Sequence, residues 1–89
     1  MPERSVTIKN PLGLHARAAA QVVRMATQYS SRICLRRTNG DEADAKSILG
    51  ILHLAAACGT QVTIHTSGED ESDALDAIDA LFNRGFGEI

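Results

Sequence analysis

Residues 5–8 (SVTI) alternate polar and apolar side chains, the period of a half-buried strand, and the alternation stops at the turn-forming run Asn10-Pro11-Leu12-Gly13. From Ala16 the period lengthens. Ala19, Val22, Val23 and Ala26 fall at i, i+3, i+4 and i+7, with Gln21, Arg24 and Gln28 off the stripe, which predicts an amphipathic helix of about three turns. Residues 31–38 (SRICLRRT) put Ile33 and Leu35 on one face and Arg32, Cys34 and Arg36 on the other, and Asn39-Gly40 supplies a hairpin turn into a short strand over 42–45. Ser47 precedes ILGILHLAAA, a short helical stretch broken by Cys58-Gly59-Thr60. Residues 61–66 alternate again, with Val62 and Ile64 apolar. Ala74, Leu75, Ile78, Leu81 and Phe82 then mark a second long amphipathic helix, and Glu69, Asp70, Glu71 and Asp73 cluster at its start, where the macrodipole favours anions.

The order βαββαβα predicts an α+β fold in which an antiparallel sheet is covered on one face by helices, because each strand shows one apolar face and each long helix one apolar stripe. With 89 residues and no linker or repeat, the expectation is a single domain over 1–89. A chain this short has no room for a deep cleft between lobes, so its chemistry belongs on the surface.

Composition narrows the function classes. Aromatic residues make up 3% and Trp is absent, which disfavours base stacking on nucleic acid. A net charge of −2 and a pI near 5.8 argue against nucleic-acid binding, and fit a cationic partner or none that is electrostatic. No apolar run is long enough to span a bilayer and the first residues lack a cleavage-site pattern, so the reading is a soluble cytoplasmic protein without membrane insertion. Cys34 and Cys58 lack CxxC or zinc-site spacing, and His53 and His65 have no converging ligands. We therefore expect reduced thiols, no metal and no cofactor. His65 is read as a solvated face residue, and the acidic run as helix-start electrostatics, since EF-hand spacing is absent.

Two constellations carry candidate chemistry. If the helix starts at Ala16, His15 is its N-cap, and the backbone N–H groups of Ala16, Arg17 and Ala18 have no intrahelical acceptor. With the positive end of the helix dipole and the planar donors of Arg17, they make an anion site around an imidazole. A nucleophilic ring nitrogen in an anion site can accept a phosphoryl group. In the second constellation, Ile48, Leu49, Ile51, Leu52 and Leu54 surround a short helix that can bury only one side. Ile51 and Leu54 are assigned to the core and Ile48, Leu49 and Leu52 to an exposed docking patch rimmed by His53, with Leu12 added from the first loop. Ser47 reads as the N-cap of this helix, and a phosphate there would be favoured by the same free amides.

Taken together, GLHAR at 13–17, AKSILG at 45–50, GTQVTI at 59–64 and GEDE at 68–71 resemble, in order and spacing, the histidine-containing phosphocarrier (HPr) family of the phosphoenolpyruvate:sugar phosphotransferase system. The resemblance runs essentially end to end. It implies an open-faced β-sandwich, with a four-stranded antiparallel sheet and three helices on one side, and a stoichiometric carrier rather than an enzyme. It implies further that His15 is phosphorylated on Nδ1 by phosphorylated enzyme I and passes the group to enzyme IIA proteins, that Arg17 partners the phosphate, and that Ser47 matches the serine modified in many relatives by an HPr kinase/phosphorylase. The carrier is expected to be a monomer. Many relatives carry proline after the arginine, whereas this chain has Ala18, which keeps an N–H that proline would remove. Two alternatives stand beside the sugar relay: a nitrogen-related or catabolite-regulatory relative that uses the same residues, and a docking module that has lost phosphotransfer.

Overall fold

The computed structural model describes residues 2–54 and 56–87. Four strands, β1 (Glu3–Thr7), β2 (Arg32–Arg37), β3 (Glu42–Asp44) and β4 (Gln61–Ser67), form one antiparallel sheet in the order β1-β4-β2-β3. Three helices, α1 (Ala16–Ala26), α2 (Ile48–Leu54) and α3 (Glu71–Asn83), cover one face, and a 3-10 turn follows at Gly85–Gly87. This is the α+β open-faced sandwich expected. Among the described residues no helix is long and apolar enough to cross a membrane.

The core lies between sheet and helices. Val6, Ile33, Leu35, Val62 and Ile64 point inward from the strands and meet Ala18, Ala19 and Val22 of α1, Ile51 and Leu54 of α2, and Ala74, Ile78 and Phe82 of α3. Alternation places the other strand residues on the open face, so one row across the sheet reads Glu3, His65, Cys34, Asp44, each directly opposite the next. Val23, expected on the α1 stripe, is only half-buried at the edge of the core.

Several boundaries shift because distant partners decide them. β1 begins at Glu3, since Glu3 and Arg4 pair with His65 and Ile64 although their own sequence carries no alternation. β2 loses Ser31, whose backbone and side chain bond to Asp70 instead. The hairpin after β2 uses three residues: Gly40 N–H donates to the Arg37 carbonyl (3.0 Å) and Arg37 N–H to Asp41 (2.9 Å), with Gly40 at φ +98°. The helical reading of 56–57 is corrected, while that of residue 55 lies outside the described residues. α2 ends at Leu54, whose carbonyl accepts from Arg37 Nη1 at 2.8 Å, and the Ala56 carbonyl is committed to Leu14.

Candidate functional site

His15 is the N-cap of α1, with extended backbone (φ −83°, ψ −179°), and its carbonyl accepts the first helical bond from Ala19 at 2.8 Å. Its Nδ1 accepts from the backbone N–H of Arg17 at 3.3 Å. The contact orients the ring: the Nδ1 lone pair faces the helix start, and a proton on the neutral ring belongs on Nε2. Ala16 and Ala18 contribute amides that also precede the i→i−4 ladder. Ala16 and Arg17 are exposed and His15 is half-buried, so the site opens to solvent. Among the described residues no carboxylate pairs with the Arg17 guanidinium.

The loop that presents His15 is built around Asn10 and Gly13, which the sequence marks as a turn without showing what backs it. Asn10 is fully buried, and its Nδ2 donates to the Gly13 carbonyl at 2.7 Å while Gly13 N–H donates to the Asn10 carbonyl at 3.1 Å. Gly13 sits at φ +67°, and a Cβ there would lie 2.5 Å from the Ala56 oxygen and 2.9 Å from the Ala57 Cα. Only glycine fits both the angle and the gap. Leu14 N–H then donates to Ala56 at 2.9 Å, so the histidine loop rests on the segment just after α2. The Asn-Pro turn signal and the glycine ahead of the helix were visible in the sequence; their shared backing at residues 56–57 was not.

Ser47 caps α2: its Oγ accepts from the Gly50 N–H at 3.1 Å. Of the expected docking patch, Leu49 (80% exposed), Leu12 (65%) and Ile48 (43%) project into solvent, and His53 is exposed at the last turn of α2. Leu52 departs from the expectation. It is half-buried against the core, because on this two-turn helix it lies one position from Ile51 and its side chain fills the margin of the same packed face.

Two further readings change. His65 is not a solvated face residue, for its side chain is only 15% exposed and Nε2 lies 3.0 Å from Glu3 Oε2, an ion-pair distance without hydrogen-bond alignment. Asp70 sits at the α3 N-cap but makes no side-chain cap bond; its carboxylate accepts from Ser30 N–H (2.9 Å), Ser31 N–H (2.9 Å) and Ser31 Oγ, clamping the α1–β2 loop. The Ser31 hydroxyl, with these amides, holds the Asp70 pKa down at about 2. Cys34 is half-buried, and burial reinforced by Glu42 pushes its thiol up, away from the reactive thiolate. Among the described residues no group of three ligand-type side chains could hold a metal ion.

The structure thus places a half-exposed imidazole against the amides of a helix start, on a four-stranded sheet backed by three helices. The sequence profile of PTS-HPr, described as the PTS HPr component phosphorylation site, matches residues 2–84, and the chain belongs to that family of phosphotransferase-system phosphocarriers. It is 48% identical over 88 residues to the phosphocarrier protein HPr of Cupriavidus necator, covering 99% of this chain and 98% of that one. It is 44% identical to the phosphocarrier protein NPr of Proteus mirabilis over 96% and 94% of the two chains. The crystal structure of HPr-C-His from Thermoanaerobacter tengcongensis superposes with a TM-score of 0.94 at 40% identity, over 100% of this chain and 99% of that one.

Proposed function

We propose that His15 is the phosphoryl acceptor, taking the group from phosphorylated enzyme I on Nδ1 and passing it to an enzyme IIA protein. The observation that carries this reading is the bond from Arg17 N–H to Nδ1, which points the nucleophilic lone pair at the amides and dipole of α1. Nδ1 donates its electron pair to phosphorus as the bond between phosphorus and the donor breaks, and the departing pair stays on the donor. At 3.3 Å the resting bond is long and weak, so the Arg17 amide can exchange its acceptor from the ring nitrogen to a phosphoryl oxygen. The amides of Ala16 and Ala18 and the Arg17 guanidinium surround the same place, where fixed donors stabilise the charge of the transferring group. The second transfer reverses the step, with the N–P bond breaking toward the acceptor. Each His15 holds one phosphoryl group at a time and must hand it on before taking the next, so the chain acts as a stoichiometric carrier between two other proteins.

Ser47 phosphorylation by a serine kinase would add about −1.5 to −2 charges at the start of α2, beside Ile48 and Leu49. Such a charge interferes with a partner docking on those side chains while the α2 amides tolerate it. Similarity to a phosphocarrier named NPr favours a second reading, the same relay serving a nitrogen-related or other regulatory branch. The discriminating experiment charges the protein with phosphoenolpyruvate and enzyme I, then offers sugar-specific and regulatory enzyme IIA proteins separately. Discharge to the sugar-specific protein supports the first reading, discharge to the regulatory one alone supports the second, and discharge to neither removes the relay.

A further inference from the structure

The main chain enters His15 through three consecutive committed amides. Gly13 N–H donates to the Asn10 carbonyl (3.1 Å), Leu14 N–H to the Ala56 carbonyl (2.9 Å) and His15 N–H back to the Gly13 carbonyl (2.9 Å), the last closing a three-residue turn about Leu14. Beyond the histidine the pattern changes, for the Arg17 N–H meets Nδ1 of the ring. The peptide plane between Gly13 and Leu14 is therefore held at both ends, and one of the groups on its oxygen is a side chain: Asn10 Nδ2 donates to it at 2.7 Å. A carbonyl oxygen only accepts, so the atom facing it is the nitrogen of the carboxamide. Asn10 is fully buried between exposed Lys9 and Pro11. Burying a carboxamide is costly unless it is bonded, and this bond fastens the same oxygen that holds the histidine amide.

We propose that Asn10 is a positioning residue for phosphoryl transfer: through the Gly13 carbonyl, its carboxamide sets the main-chain orientation from which His15 presents Nδ1. This role rests on His15 being the acceptor, and it works through the backbone rather than on the phosphoryl group. A three-residue turn closed by one amide bond opens readily on its own. With Asn10 on the same oxygen, rotating the Gly13–Leu14 plane breaks three bonds together, those from Asn10 Nδ2, His15 N–H and Leu14 N–H. The low dielectric around a buried carboxamide strengthens its share. Removing the carboxamide frees the plane to tilt, and the tilt reaches the histidine through its own N–H. The ring then turns relative to the amides of α1, Nδ1 loses its fixed approach to phosphorus, and the neutral imidazole samples both tautomers. Misplacing a reacting atom by about 1 Å costs up to about 10²-fold in rate. The exposed Ile48 and Leu49 lie on α2, outside this turn, so the loss falls on the saturated rate and not on KM.

The test compares the parent chain with Asn10→Ala, Asn10→Ser and Ile78→Val, the last a buried α3 substitution that lowers stability outside the loop. Single-turnover phosphorylation by phosphorylated enzyme I is measured over a range of carrier concentrations, at a temperature where circular dichroism shows each variant folded. The nitrogen NMR shifts of the His15 ring are recorded at alkaline pH, where the ring is neutral. Asn10→Ala is expected to lower the saturated rate about ten-fold, with KM within about two-fold of the parent, and to move the Nδ1 and Nε2 signals toward each other as a mixture of tautomers requires. Asn10→Ser keeps a hydroxyl donor on a shorter side chain and recovers part of both. Ile78→Val lowers Tm and keeps the parent rate and ring signals. A parent-like saturated rate in Asn10→Ala, a loss confined to KM, unmoved ring signals or an equal loss in Ile78→Val overturns the positioning role and leaves His15 the acceptor. If Asn10→Ala does not fold, Asn10→Ser carries the test under the same criteria, with an expected loss of about three-fold. A parent chain that takes no phosphoryl group at His15 overturns the underlying reading and the positioning role with it.

Discussion

The backbone N–H of Arg17 points at Nδ1 of His15, 3.3 Å away, so under the proposed transfer the residue whose guanidinium meets the phosphate also orients the ring nitrogen through the main chain. The two contributions separate by mutation. Arg17→Ala keeps the amide and loses the side chain. Phosphoryl transfer is expected to slow well beyond any change in stability, because a cation at the positive end of a helix does not favour folding. Arg17→Lys restores charge without the planar fork and recovers part of the rate. Unchanged transfer in Arg17→Ala, read by rapid quench, would remove the guanidinium from the mechanism.

Gly13→Ala tests the mount beneath the histidine. The new methyl meets the Ala56 oxygen at 2.5 Å in a left-handed backbone, and the expected cost is about 1–3 kcal/mol from backbone strain alone. Because Leu14 N–H bonds to the same Ala56 carbonyl, relief of the clash moves the loop, and transfer falls together with thermal stability. A variant with the parent Tm and the parent rate contradicts the role assigned to this contact.

On α2 the neighbours Leu49 and Ile51 should respond oppositely. Ile51 is fully buried, and Ile51→Ala is expected to cost about 2–5 kcal/mol in chemical denaturation. Leu49 is 80% exposed, so Leu49→Ala should stay within about 0.5 kcal/mol while weakening association with enzyme I. Leu52→Ala is expected to fall between them in stability, as its half-buried position requires.

Asp70 should make the fold acid-sensitive. Its folded pKa, about 2, lies below the ordinary carboxylate value, so the folded state binds its proton more weakly than the unfolded chain does. The stability this supplies is complete above the unfolded value of about 4 and is lost as pH falls through 2. Asp70→Asn is expected to lower Tm at pH 7 and to flatten its fall between pH 4 and 2. An identical acid profile in the variant would mean that the serine clamp carries no linked proton.

The frame of the molecule was legible because α1, α3, β2 and β4 each bury one regular face: Ala19 and Val22, Ile78 and Phe82, Ile33 and Leu35, Val62 and Ile64 announce their period locally. His15 and Ser47 were readable as caps for the same reason, since capping is decided within a few residues. What escaped depends on partners remote in sequence. Nothing near Asp70 shows that Ser31 waits 39 positions away, and nothing near Ala56 shows that the histidine loop will take its carbonyl. His65 looked solvated because alternation gives the face and not the neighbour, and its neighbour is Glu3 on an edge strand with no alternation of its own.

The central claim, that His15 is the phosphoryl acceptor, is tested most directly by incubating the parent chain and His15→Ala with phosphoenolpyruvate and enzyme I and weighing both intact at alkaline pH, where phosphohistidine survives. His15→Ala is expected to remain folded, since loss of an N-cap costs about 0.5–2 kcal/mol, and circular dichroism of the same samples verifies it. The account predicts one acid-labile phosphoryl group on the parent and none on His15→Ala. A phosphoryl group on the folded His15→Ala chain, carried by His53 or His65, would contradict it.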